Sequence, residues 1–156
     1  MSGSVNTHHS AGATTVQKAA VGVAIAFLAV GVLGFVPGIT TDFDTIDFAG
    51  HHSDAMLLGL FQVSILHNIV HLLFGVVGLA MSRTARAARV YLIAGGAVYL
   101  VLWIYGLIID QSSQANFVPV NTADNWLHLG LGLVMILLGL VLTRRATGPA
   151  APASHS

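Results

Sequence analysis

Four long apolar segments divide the chain into five polar pieces, a pattern that predicts four membrane-crossing helices in an all-α bundle. The spans fall at about 19–36, 55–81, 88–109 and 126–143, each close to the ~20 apolar residues needed to cross ~30 Å of hydrocarbon. The first stops at Pro37-Gly38. It is longer than the apolar region of a secretory signal and no A-x-A cleavage site follows, so it reads as a retained span. The connection at 82–87 is short, which makes spans two and three antiparallel neighbours. The pieces at 37–54 and 110–125 are longer. Phe43, Ile46 and Phe48 stand among the aspartates of the first. That piece either lies on the membrane surface or folds over the mouth of the bundle. Phe43, Tyr91 and Trp126 fall near expected membrane–water interfaces, where amphipathic rings are favoured. Residues 1–15 and 146–156 are polar or Ala/Pro/Ser-rich tails expected to be disordered, leaving 16–145 as the transmembrane domain. No internal repeat is visible.

Charge orients this bundle. The six basic residues, Lys18, Arg83, Arg86, Arg89, Arg144 and Arg145, lie in or beside the first, third and fifth polar pieces. The six acidic residues, Asp42, Asp44, Asp47, Asp54, Asp110 and Asp124, lie in the second and fourth. Basic segments resist translocation, so both termini are expected in the cytoplasm. Composition agrees with a lipid setting: 55% hydrophobic and 8% charged residues, with mean hydropathy +0.81, do not describe a surface facing water. Net charge is zero and no basic patch exceeds three arginines, which argues against a nucleic-acid partner. The absence of cysteine excludes disulfides, thiolate metal sites and cysteine nucleophiles. Abundant Ala, Gly and Val, with no Glu and one Lys, points to a high-GC bacterium and hence to a bacterial plasma membrane.

The candidate chemistry sits in the second and fourth spans. His67 and His71, at i and i+4, share one helical face about 40° apart at ~100° per residue. Gly75 and Gly78 continue that face and Ser64 borders it. In the fourth span Asp124, His128, Gly132 and Gly139 align in the same way. Glycine permits close approach of helices, and histidine in hydrocarbon requires a hydrogen-bond partner, so the two stripes are expected to face each other. The predicted span limits put His67 near the midplane and His128 nearer the outer headgroups. A direct pair between them would then need a tilt or a register shift, unless both line one outward-facing pocket.

Four readings of this polar face stay open. One is a transition-metal site formed by His67, His71 and His128, with Asp124 as ligand or orienting partner and His51, His52 and Asp54 as an outer entry site. Another is haem b, ligated by one histidine from each span, with Gly75, Gly78 and Gly132 making room. A third is a proton path, disfavoured because the cytoplasmic halves of both spans are apolar. The fourth is structural: His67, Asn68, His71, Asn125 and His128 satisfy one another and fix the helix pairing. His8, His9 and His155 in the tails read as solvated.

Span three carries Gly95, Tyr99, Trp103, Gly106 and Asp110 on one stripe, with Gly95-Gly96 allowing close approach or a kink. Span one carries Ala20, Gly22, Ala24 and Ala26 in small-xxx-small register. Four short helices offer each other few places to bury so many small-residue faces. Some are therefore expected to face another integral membrane protein or complex.

Leu57-Leu58-Gly59-Leu60-Phe61 leading to His67-Asn68-Ile69-Val70-His71, Phe74-Gly75 and Gly78-Leu79, together with Asn121-Thr122-Ala123-Asp124-Asn125-Trp126-Leu127-His128, resembles the signature of a family of small four-span membrane proteins. That family is found mostly in actinobacteria, mycobacteria included, and carries a domain of unknown function. The resemblance covers roughly residues 16–145. Ser64 departs from it where Asn is expected. The resemblance implies the four-span topology and marks the same histidines, but it implies no reaction. The expectation is a non-enzymatic accessory or scaffold subunit of a larger complex, with an envelope lipid importer or a respiratory assembly as host if the mycobacterial resemblance holds. The alternative is a metal- or haem b-binding bundle.

Overall fold

The computed structural model describes residues 13–144. The tails expected at 1–15 and 146–156, with His8, His9, His155 and Arg145, lie outside the described residues apart from 13–15. Four helices dominate: α1 (Thr15–Leu33), α2 (Ile65–Met81), α3 (Ala85–Ile108) and α4 (Thr122–Arg144). Three of them, α1, α3 and α4, are long and apolar enough to cross a membrane, and α2 is a shorter apolar helix. Gln17 joins the ends of the first pair. Its side-chain oxygen accepts from the Thr14 N–H, and its Nε2 donates to the carbonyls of Ser82 and Arg83 in the α2–α3 connection.

The second span expected at 55–81 is the main departure. Residues 56–62 form a hairpin, and the helix begins only at Ile65. Strand β2 (Met56–Leu57) pairs antiparallel with β1 (Thr40–Thr41) on one side and β3 (Phe61–Gln62) on the other. Leu58 and Gly59 take φ of 55° and 68°, left-handed values that turn the chain and end any helix running through them. Ser64 then caps α2, its Oγ accepting from His67 N–H at 3.1 Å. Within the run 55–63 the apolar side chains divide: Ala55, Leu57 and Val63 are buried, whereas Leu58 and Leu60 are 61% and 57% exposed. Ala55, Leu57 and Val63 form a small core with Val30 and Leu33 of α1 and with Ile39 and Ile46. The piece at 37–54 therefore folds over the bundle mouth. Its Asp47 and Phe48 carbonyls accept from the N–H groups of Ile65 and Leu66, donors that the first turn of a helix leaves unpaired.

Packing runs mainly within two antiparallel pairs, α1 with α2 and α3 with α4. This corrects the expectation that the stripes of spans two and four face each other. A Cβ on Gly75 would meet the Leu28 side chain and the Ala24 carbonyl of α1. One on Gly132 would meet the Leu100 side chain and the Gly96 carbonyl of α3, and one on Gly139 would meet Ile93. Gly78 lies under the Tyr91 ring, which is buried there rather than at an interface, and Gly95 lies under Met135 and Phe74. Among the described helical glycines only Gly22 and Gly130 open onto empty space. These glycine faces are thus used inside the molecule, while Gly22 and Ala26 of α1 stay exposed.

The two pairs repeat each other, contrary to the first reading of the sequence. Val16, Ala20, Ala24, Phe27 and Gly34 of α1 correspond at one constant offset to Ala88, Leu92, Gly96, Tyr99 and Gly106 of α3, and all ten are buried. A second constant offset relates Ser64, His67, Asn68, His71, Gly75 and Gly78 to Asn121, Asp124, Asn125, His128, Gly132 and Met135. The contacts repeat as well: Gly34 meets the Asn68 amide, and Gly106 meets the Asn125 amide. Phe27 and Tyr99, equivalent in the two halves, stack on each other with centroids 5.3 Å apart. The molecule has an approximate two-fold relation between its halves, with this ring pair at the centre.

Candidate functional site

The polar residues gather in the first turns of α2 and α4, at the end of the bundle covered by the hairpin. With α2 starting at Ile65 and α4 at Thr122, His71 and His128 are each six residues into their helices. His67 is only two residues into α2, so it lies nearer its helix start than His128 does, the reverse of the depth order expected from the longer second span. His67, His71 and His128 are each 5% exposed. His67 Nε2 and His71 Nε2 lie 2.9 Å apart, so one ring donates to the other. His71 meets the Phe27 ring edge-on at 5.6 Å, and His128 meets Tyr99 edge-on at 5.2 Å.

At the position equivalent to His67, Asp124 does different work. Its Oδ2 accepts from Asn121 N–H at 2.9 Å and from Gln62 N–H at 3.0 Å, while Asn121 Oδ1 accepts from Asp124 N–H. The reciprocal pair closes a capping box at the start of α4. The bond to Gln62 fastens strand β3 to that helix. Asn121 Nδ2 adds a bond to the Leu60 carbonyl. Asp124 is thereby a structural clamp between hairpin and bundle.

Asn68 and Asn125 do not join the histidines. Each is buried against its paired helix, and Asn68 Nδ2 and Oδ1 and Asn125 Oδ1 have no hydrogen-bond partner. The same holds for the Nδ1 atoms of His71 and His128, whereas His67 also lies within reach of the Pro119 and Gln62 backbone. The expected network in which all five side chains satisfy one another is reduced to the His67–His71 bond.

Two cavities flank the histidines. The larger, about 140 Å³, is lined by His67, His71, His128, Tyr99, Leu102 and Val70, with Phe117, Val118 and Val120 of the second outer loop over it. The smaller, about 100 Å³, lies toward α1 and the hairpin, and it touches the same histidines together with Asp124, Leu33 and Leu57. Asn116 shapes the loop over the larger cavity: its Nδ2 donates to the Gln111 and Val120 carbonyls and its Oδ1 accepts from Val120 N–H. Tyr105 OH, bonded to the Ala115 carbonyl, ties the same loop to α3.

The family model described as Domain of unknown function (DUF4383) matches residues 17–141, which takes in both halves and the loops between them. The chain belongs to that family. No curated protein and no solved structure matches the chain. The DUF4383 match thus encloses every residue of the polar end without assigning any of them a role.

Among the described residues, no three His, Asp or Glu side chains converge in an arrangement able to hold a metal ion. The larger cavity, about 140 Å³, is also below the ~300 Å³ at which sites for sizeable organic ligands begin. The His51 and His52 rings lie against each other at a 39° tilt in the cap, 4.0 Å between centroids, and line neither cavity. Sequence reasoning missed Phe27, Gln62 and Asn116. The first and last carry no spacing signal, but Gln62 stood out as a polar residue inside an apolar run.

Proposed function

We propose that this protein is a non-enzymatic, four-span accessory subunit of a bacterial inner membrane, with both termini cytoplasmic, and that it works by holding a small molecule at its histidine-lined end. The orientation follows from charge. Lys18, Arg83, Arg86 and Arg89 sit at one end of the bundle, and the aspartate-bearing cap sits at the other. Counting α2 as a span requires its 17 residues, ~25 Å of helix at ~1.5 Å per residue, to be completed by the hairpin above it.

The observation that carries the reading is a cavity of about 140 Å³ walled by three buried histidines, His67, His71 and His128, of which His71 and His128 each keep an Nδ1 atom without a hydrogen-bond partner. A buried polar group left unsatisfied costs about 1–3 kcal/mol, so a fold that keeps them gains from a ligand that completes them. Of the other polar side chains at this end, Ser64, Asn121 and Asp124 cap helices, Gln62 links strand β3 to the loop below it, and Asn68 and Asn125 are buried against their paired helices. No nucleophile–base pair is left among the described residues of the cavity wall. Binding without turnover is what such a site supports.

Purification from native membranes in mild detergent, at natural expression level, tests this reading. Mass spectrometry of the eluate should find a stoichiometric protein companion and a small molecule lost on His71→Leu. Elution alone, with an organic extract identical to that of the empty membrane, sinks it. Lipid-handling and respiratory assemblies are hosts in which such a subunit would meet its ligand.

A further inference from the structure

From the structure we infer that the ligand is an uncharged, single-chain lipid whose head is one carbonyl- or hydroxyl-bearing ring, the chemistry of a lipoquinone or its quinol. It enters sideways from the bilayer between α2 and α3. This rests on the binding reading above and specifies the ligand class.

Three features set that class. Size comes first. A cavity of about 140 Å³ matches the ~150 Å³ at which a buried apolar cavity accepts a benzene-sized molecule, so the head is a single ring. The second feature is a path for a tail. Between α2 and α3 a groove of about 330 Å³ runs along the bundle, lined by Val70, Phe74, Val77, Tyr91, Gly95 and Val98. Val77 and Val98 are 49% and 46% exposed on the lipid-facing side. Val70 lines both groove and chamber, so the groove reaches its outer end beside the histidines. Gly95 keeps it deep, because a side chain there would strike Met135 and Phe74.

Charge is the third feature. Lys18, Arg83, Arg86 and Arg89 all lie at the opposite end of the bundle, so a phosphate or carboxylate head would meet no counter-charge. Asp124 beside the smaller cavity would repel it further. The histidine pair instead suits a neutral head. Because one Nε2 donates to the other, one ring presents Nδ1–H and the other a bare Nδ1. That combination can donate to a carbonyl and accept from a hydroxyl. Tyr99 and Phe117 supply aromatic walls for a flat ring. No electron or group transfer is part of the proposal.

The test uses the full chain in nanodiscs of neutral lipid, with decyl-benzoquinone, its quinol and oleate as probes. Equilibrium binding and the ¹³C shifts of the histidine rings are both recorded. Decyl-benzoquinone should bind saturably at one site and move the His67, His71 and His128 signals. Oleate, with a similar tail and an anionic head, should not compete. Val70→Trp, on a lipid-facing surface where folding tolerates it, and His71→Leu should each weaken binding at least tenfold. Equal competition by oleate, partition without saturation, or unchanged binding in both variants would overturn the inference. If the quinone fails while a different small molecule co-purifies in stoichiometric amount, the lipid class is wrong and the binding reading stands. If neither is found, both are wrong.

Discussion

At the scale of single residues, the bundle turns on matched pairs of glycine and asparagine. Gly34 and Gly106 each lie directly beneath a buried asparagine amide of the neighbouring helix, leaving no space for a methyl group. Gly34→Ala or Gly106→Ala should therefore destabilise the fold by about 1–3 kcal/mol, the cost of overpacking a tight core, although alanine is the better helix former. The midpoint of unfolding in mild denaturing detergent measures this, and Gly22→Ala, which meets nothing, is the control that should be neutral or slightly stabilising. Much of this scale was legible. His67 and His71 share a face because of their spacing, and the structure joins them by a hydrogen bond. What spacing could not reveal was which helix each face meets. Gly75 and Gly132 are close-approach positions, but a glycine in a helical stripe carries no information on its neighbour, and each meets its own partner within a pair.

At the scale of elements, α2 shows where an apolar pattern misleads. The run from Ala55 to Val63 carries no polar stripe, and a short buried run has the same composition whether it is strand or helix. Gly59 and Gln62 were the available signals. The first supplies a left-handed turn residue, and the second donates its backbone N–H to Asp124. Gly59→Val should cost roughly 1–2 kcal/mol of local backbone strain. That loss should appear in the cap and not in the helices. Hydrogen exchange checks it: faster exchange at Leu57 and Val63, with α3 unchanged, is expected, whereas uniform loss of protection across all helices would mean that the cap and bundle unfold as one unit. The opposite case is α3, whose limits were read to within a few residues because its apolar run coincides with the helix.

At the scale of the whole molecule, charge and repetition give different information. The sorting of Arg83, Arg86 and Arg89 from Asp42, Asp44 and Asp47 is visible in the bare sequence, and it predicts sidedness. A cysteine at Ala49 in the cap should react with an impermeant maleimide on intact spheroplasts, while one at Ala87 should react only after permeabilisation; the reverse pattern would invert the topology. The internal repeat was invisible to inspection because its halves share buried positions rather than residue types. Ala24 corresponds to Gly96, Phe27 to Tyr99, and Gly78 to Met135. The recurring Asn-x-x-His-x-x-x-Gly run, at Asn68 and Asn125, is the longest pattern that carries identity between the halves, with Gly34 and Gly106 as an isolated match.

Symmetry that is broken at one residue gives a molecule a direction. Where the first half has His67, the second has Asp124, and that carboxylate is occupied in holding the hairpin down onto α4. The histidine left in the first half is free to face a cavity, and the cavity on that flank is the larger of the two. Two near-equivalent flanks thus become unlike: the smaller cavity lies under the cap beside α1, and the larger adjoins the groove along α2 and α3. Within the plane of the membrane the protein has a front and a back. Any neighbour that exchanges a molecule with it must stand at the front, while the back, along α1 and α4, is the side by which it can be anchored.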